Sequence, residues 1–239
     1  MTPRGDRVGV YKLASVLLAY PTASLPAGVD ELDAAAASTP RTSREAFGRF
    51  LTWLRSTSPT AVAEHYVATF DLRRRCALYL TYYRHGDTRM RGMSLLEFTT
   101  AYRTAGFEPT TAELPDYLPL VLEFADLHPR GEALLRRHRA DLELLHRALA
   151  SADTPYIAII EAVAARLPAL SRRERALVGR AWEAGPPRED VGLATTMPDG
   201  LGAPFAPPEY LSGGSDFGVG LGAEPPIVES VSNSREGRR

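Results

Sequence analysis

Two helix-spaced pairs hold the side chains best suited to chemistry. His138 and Asp141 stand three residues apart, and so do Glu143 and His146, so each pair falls on one face of a helix. An imidazole beside a carboxylate can bind a metal or move a proton. Together with Asp87, the residues His138, Asp141 and His146 would supply a helical metal-dependent hydrolase. A di-metal site in a helix bundle, however, needs two Glu-x-x-His pairs and two further carboxylates, and this chain has one such pair. Cys76 is the single cysteine, so no intrachain disulfide or multi-cysteine metal site can form. A reducing, cytoplasmic setting fits. Gly-rich phosphate loops, nucleophile elbows and zinc-type spacings are missing from the sequence. The expectation is a chain without catalytic residues, metal or cofactor.

A second cluster, Thr69 to Gly92, reads TFDLRRRCALYLTYYRHGDTRMRG, with six arginines and four Phe or Tyr residues. Arg73, Arg74 and Arg75 are consecutive, and on a helix they would point about 100° apart. They cannot share one phosphate-gripping face. They read as internal ion pairs and caps with acids such as Asp71, Asp87 and Glu97, or as a contact for a partner. The net charge of −1 and pI near 6.5 also disfavour a nucleic-acid module. Cys76 to Tyr83 is apolar almost all round, which predicts a buried helix. His85-Gly86-Asp87 then reads as its end, with glycine at the C-cap.

These residues need a scaffold, and the sequence predicts a helical one. Apolar residues recur at i, i+3, i+4 and i+7 through most of the first 184 residues. Leu13, Val16, Leu17 and Tyr20 form one stripe; Phe47, Phe50, Leu51 and Leu54 form another. Tyr117, Leu120, Val121 and Phe124 make a third. A fourth runs from Leu135 through His138 and Leu142 to Leu149, and a fifth from Tyr156 to Leu167. Prolines fall between stripes. Ser58-Pro59 and Thr154-Pro155 each place a capping residue before a proline at the first helical position. Ser43 to Glu45 reads as a first turn. No stretch alternates with period two. The fold class is therefore all-α, a single domain of about eight to ten helices over residues 1–184. The apolar stretch from Leu13 to Ala19 is too short, and lacks the cleavage site, for a signal peptide. No window approaches the roughly 18 apolar residues of a membrane span.

Residues 185–239 differ in kind. They hold ten Gly and eight Pro in 55 residues, and eight acids against four bases. The expectation there is a disordered acidic tail.

The dense motif YVATFDLRRRCALYLTYYRHGDTRMRGMSLLEF (Tyr66 to Phe98) is followed by ELPDYLPLVLEF (Glu113 to Phe124). In the latter, Pro115 is expected to open a helix with Asp116 in its first turn, where the helix dipole favours a carboxylate. Together the two motifs closely resemble the nitrate reductase molybdenum cofactor assembly chaperones, the delta-subunit-like (NarJ) group of redox-enzyme maturation chaperones. The resemblance covers roughly residues 10–170. Asp116 matches a Pro-Asp-His-Leu-like signature of that family, while Tyr117 stands where many relatives carry His.

The resemblance implies an all-helical cytoplasmic chaperone, and not an enzyme. Its partner would be the apo catalytic (alpha) subunit of respiratory nitrate reductase, bound mainly by its N-terminal segment while the molybdenum cofactor is inserted. Another molybdoenzyme of the same group is the alternative client. The implied peptide groove is walled by Tyr79, Tyr82 and Tyr83, with Arg89, Asp116, Tyr117 and Leu120 beside it. Phe70, Asp71, Arg73 and Arg75 would belong to the structural motif, as would Gly86, Asp87, Arg91 and Gly92. The expected particle is a monomer or weak dimer, without nucleic acid or a membrane-spanning segment, that touches the membrane-bound complex only transiently.

Overall fold

A computed structural model describes residues 9–22, 25, 28–86, 89–110, 112–186 and 228–230. The chain enters through α1 (Val10–Leu18), α2 (Val29–Ala37), α3 (Arg41–Ser56) and α4 (Pro59–Tyr66). The last runs on as a π-helical turn, Val67–Asp71, and a 3₁₀ turn follows at Arg74–Cys76. A single turn, α5 (Tyr82–His85), leads to α6 (Met90–Ala105). Then come α7 (Leu118–Leu127), α8 (Pro129–Arg137), α9 (Arg139–Ser151), α10 (Ile157–Ala164) and α11 (Arg172–Ala184). Ten of these helices have eight or more residues, and the fold is all-α as expected.

Helices α1, α7 and α10 are apolar nearly all round and form the centre. Leu17, Phe50, Leu120, Phe124 and Ile159 are closed to solvent among them. The one lysine serves this core. Lys12 Nζ lies 2.5 Å from Glu123 Oε1 and neutralises a carboxylate buried on α7. Aromatic packing holds the π turn: Phe70 lies 4.8 Å, ring to ring, from both Tyr66 and Tyr156.

Several boundaries differ from the sequence reading. Ser58 caps α4 by accepting from Ala61 N at 3.3 Å, as its position before Pro59 predicts. Ser43 lies inside α3, which starts at Arg41 after Pro40, and donates to the Ala162 carbonyl at 3.0 Å. Thr154-Pro155 opens a turn, and α10 begins at Ile157; the Thr154 hydroxyl is taken by His65 Nε2 at 2.7 Å. The fourth stripe is two helices, because His138 leaves helical geometry (φ −96°, ψ 23°) as the C-cap of α8 and the N-cap of α9.

Helices α7 and α8 meet at a sharp corner over Gly131. A Cβ at Gly131 would lie 2.6 Å from the Phe124 carbonyl carbon and closer still to the Ala125 backbone. Backbone cannot step aside as a side chain can. Gly131→Ala is therefore expected to cost about 2 kcal/mol through overpacking. Urea titration followed by circular dichroism measures this, and an unchanged midpoint would contradict the close crossing.

Among the described residues, one short pair of strands accompanies the helices. Phe107–Pro109 (β1) pairs antiparallel with Val228–Ser230 (β2), with Phe107 opposite Ser230 and Pro109 opposite Val228. Three-residue strands are too short to show a period-two signal. Helix α11 ends at Ala184. The expected disorder of the tail concerns residues outside those described, apart from 185–186 and β2.

Candidate functional site

The expected Cys76 to Tyr83 helix does not form. Cys76 ends the 3₁₀ turn, Ala77 is extended, and Tyr79 makes an isolated antiparallel bridge to Tyr117. The backbone finds better partners across the fold than along itself. Leu80 N donates to the Asp116 carbonyl at 3.1 Å, and Leu118 N to the Leu78 carbonyl at 2.7 Å. Pro115 and Asp116 likewise form a turn, and α7 starts at Leu118 with Pro119 just inside.

Asp116 organises this crossing. Its side chain is fully buried. Oδ2 accepts from Thr81 N at 2.9 Å and from Thr81 Oγ1 at 2.6 Å. Oδ1 lies 3.6 Å from Arg91 Nη2, an ion pair too long for a direct hydrogen bond. The same guanidinium sits 5.3 Å from the Tyr79 ring centroid and 5.6 Å from that of Tyr82. In this low-dielectric setting the paired charges and the two ring faces clamp the first turn of α6 to the α7 entry.

The structure thus gathers Tyr79, Tyr82, Asp116 and Tyr117 around Arg91. Tyr79 and Tyr117 are half-buried with rings 5.6 Å apart, and the Tyr79 hydroxyl donates to Glu113 at 2.7 Å. Tyr82 is buried and accepts from Arg74 Nε at 2.7 Å. Tyr83 and Leu120 sit in the core, and Arg89 is exposed at the start of α6.

Of the structural-motif residues, Phe70 packs in the core and Asp71 ends the π turn. Arg75 stacks 5.1 Å over Trp182, and exposed Arg73 neighbours that contact. Gly86 terminates α5 with φ 54°, a left-handed value that favours glycine. At Gly92 a Cβ would meet open space, so sterics do not demand glycine there. Asp87 lies outside the described residues.

Of the hydrolase residues that are described, His138 and Asp141 share one network and His146 stands in another. His138 Nδ1 and Arg84 Nη2 each lie 2.8 Å from Asp141 Oδ2. His146 instead faces Glu161 at 3.5 Å. Among the described residues no three His, Cys, Asp or Glu side chains converge on a metal position. Burial pushes the Cys76 thiol up, away from the reactive thiolate.

His65 and His85 carry a pH signature. Burial lowers both, helped by Arg73 near His65 and by Arg84 near His85. A histidine held neutral in the fold gains its proton more readily when unfolded, so the unfolded chain binds more protons below about pH 6.5. Stability should therefore fall as pH drops below that value. Thermal midpoints at pH 7.5 and 5.5 test this. A His65→Gln/His85→Gln variant with an undiminished slope would remove these residues as the cause.

A surface the sequence did not single out runs along α6. Phe98 and Tyr102 point inward and are buried, whereas Met90, Met93 and Leu96 are 63%, 67% and 56% exposed. Met93 and Leu96, with Thr100 and Thr104, face α8 across a groove of about 570 Å³. Ala133 and Leu134 line its far side, and Arg130 and Arg137 edge it. Arg137 pairs with Glu97, whose Oε2 lies 3.7 Å from His138 Nε2, so the walls are tied together. The signal was available in the sequence: α6 carries apolar residues on two faces, and one of them has no internal partner.

Comparison with known proteins gives this architecture its relatives. The profile of the family described as nitrate reductase delta subunit matches residues 30–161. The chain belongs to that family. A probable nitrate reductase molybdenum cofactor assembly chaperone, NarJ of Bacillus subtilis, is 34% identical over 172 residues, which span 71% of this chain and 94% of that protein. The Escherichia coli nitrate reductase molybdenum cofactor assembly chaperone NarJ is 32% identical over 62% of this chain and 65% of its own length. The nitrate reductase-like protein NarX of Mycobacterium tuberculosis is 41% identical over 64% of this chain. There the match spans only 24% of the relative's length. The delta-subunit match begins within α2 and ends within α10, so it contains the Asp116 crossing and the whole α6/α8 groove. Among the described residues of this delta-subunit chain, no helix is long and apolar enough to cross a membrane.

Proposed function

We propose that this chain is an assembly chaperone that holds the immature catalytic (alpha) subunit of a respiratory nitrate reductase while its molybdenum cofactor is inserted. It recognises the subunit mainly through its N-terminal segment, works in the cytoplasm as a monomer or weak dimer, and meets the membrane-bound complex only in passing. Family membership supports the chaperone role. The observation that carries the binding mode is the α6/α8 groove, with two large apolar side chains, Met93 and Leu96, standing in water along it.

An amphipathic client helix would lay its apolar face there, presenting anchors at i, i+3, i+4 and i+7. Methionine suits such a wall, because its unbranched side chain adapts to different partners. Arg130 and Arg137 at the edge favour acidic or polar groups on the client. Four buried anchors at about 1.5–3 kcal/mol each give roughly 6–12 kcal/mol. Ordering the segment returns about 2–5 kcal/mol, and association entropy more. Affinity of micromolar or weaker follows, no more than about 8 kcal/mol, which suits a chaperone that must release its client. On this reading Tyr79, Tyr82, Asp116 and Tyr117 fix the groove by anchoring α6 through Arg91, and the exposed edges of Tyr79 and Tyr117 extend its surface.

The test is calorimetric titration of the full chain with a peptide of the first twenty or so residues of the partner catalytic subunit, alongside a scrambled control. Saturable binding lost on scrambling is expected. Equal binding of both peptides, or of neither, would refute N-terminal recognition. The same titration with the N-terminus of another molybdoenzyme decides between clients.

A further inference from the structure

The α6/α8 groove does not end in open solvent. At its far end Thr104 lines both that groove and a second hollow of about 700 Å³, and Arg130 Nη1 donates to the Thr104 hydroxyl at 2.5 Å. The second hollow lies between the last turns of α6, strand β1 and residues Glu113 and Pro115. Its floor is rigid. Gly106 closes α6 in the left-handed region at φ 78°, and the Phe107 ring packs 5.4 Å from Phe124. Strand β1 is thus a fixed length of extended backbone at the mouth of the groove.

That backbone already has an occupant. Val228–Ser230 pairs with it antiparallel and also approaches α7. The pairing is short, and two strands of three residues are marginal on their own. Pro109 has no N–H to donate, and prolines at 225 and 226 precede the tail strand in sequence, so the ladder cannot lengthen on that side. The register also sets Glu229 opposite Glu108. Strand β1 is therefore paired with a short, weakly held segment at the end of an apolar groove.

We propose that the β1 edge is a docking site for extended peptide, filled in cis by Val228–Ser230 and given up to an extended stretch of the client seated in the adjoining α6/α8 groove. The displacement rests on the proposed chaperone function; the dock itself does not. Adding a strand satisfies backbone donors and acceptors without regard to side chains, so it suits a partner read mainly by its helical anchors.

Amide exchange by NMR on the full chain tests both parts. Glu229→Pro/Ser230→Pro removes a donor from each of two adjacent positions, so it breaks the pairing whichever pair is hydrogen-bonded. The β1 amides that point toward β2, whether at Phe107 or at Glu108, should exchange at least about tenfold faster in that variant. A synthetic peptide of residues 224–233, added in trans, should slow them again. Unchanged exchange in the double-proline variant, or no recovery with the peptide, would overturn the dock. In the wild type, the catalytic-subunit peptide should speed exchange at 228–230 while Met93–Thr104 becomes protected. Protection of Met93–Thr104 with 228–230 unchanged would overturn the displacement alone. No protection along α6 would overturn the proposed function and the displacement together, leaving the dock to stand or fall on the proline comparison.

Discussion

Asp116→Ala should lower the thermal midpoint by about 10 °C, the effect of about 3–5 kcal/mol in a chain of this size. The residue is fully buried, and its carboxylate is the counter-charge of Arg91, whose side chain is only 14% exposed. Removing it strands a buried guanidinium and also leaves Thr81 without its acceptor. Asp116→Asn separates the two contributions, because it keeps an acceptor for Thr81 and loses the charge. It should fall between wild type and alanine. Thermal unfolding by circular dichroism measures all three proteins. A midpoint for Asp116→Ala within about 2 °C of wild type would remove Asp116 as the organiser of the crossing.

Met93→Asp/Leu96→Asp should weaken client-peptide binding about a hundredfold, or about 2.7 kcal/mol, with the thermal midpoint nearly unchanged. Both side chains already stand in water, at 67% and 56% exposure, so the folded chain gives up little packing. The bound client would instead meet two carboxylates in an apolar interface with no partner. The two experiments are complementary. Asp116→Ala acts on stability and reaches binding only by loosening α6, whereas the groove variant acts on binding alone. Tyr83→Ala belongs with the former, since Tyr83 is in the core. Full affinity in the groove variant would move the client site away from α6/α8, with the half-buried Tyr79 and Tyr117 as the next surface to test.

The helical class was legible because it rests on local patterning. The stripes at Phe47 to Leu54 and at Tyr156 to Leu167 mark buried faces whatever they pack against. Ser58-Pro59 marked a helix start because a cap and a fixed φ act within one turn. The dense motif was legible too, and it led to the right family. The tyrosine segment was misread for a physical reason. Cys76 to Tyr83 has the composition of a buried helix, but Leu78, Leu80 and Thr81 find hydrogen-bond partners 35 or more residues away, at Asp116 and Leu118. Intrinsic preference is worth less than about 1 kcal/mol per residue, and that network outweighs it. His138 splits a continuous stripe by leaving helical geometry, with its side chain bonded to Asp141 three residues on.

The sequence by itself determined the helix content, the absence of an intrachain disulfide and the family. Each depends on residue type or on spacing within a few turns. Only the tertiary structure decided that Asp116 is buried against Arg91 and Thr81, that Met90, Met93 and Leu96 face water, and that residues 228–230 pair with 107–109. Those outcomes depend on which surfaces meet after the chain folds back on itself. Burial and pairing are properties of two segments together, and neither segment's sequence contains the other's position.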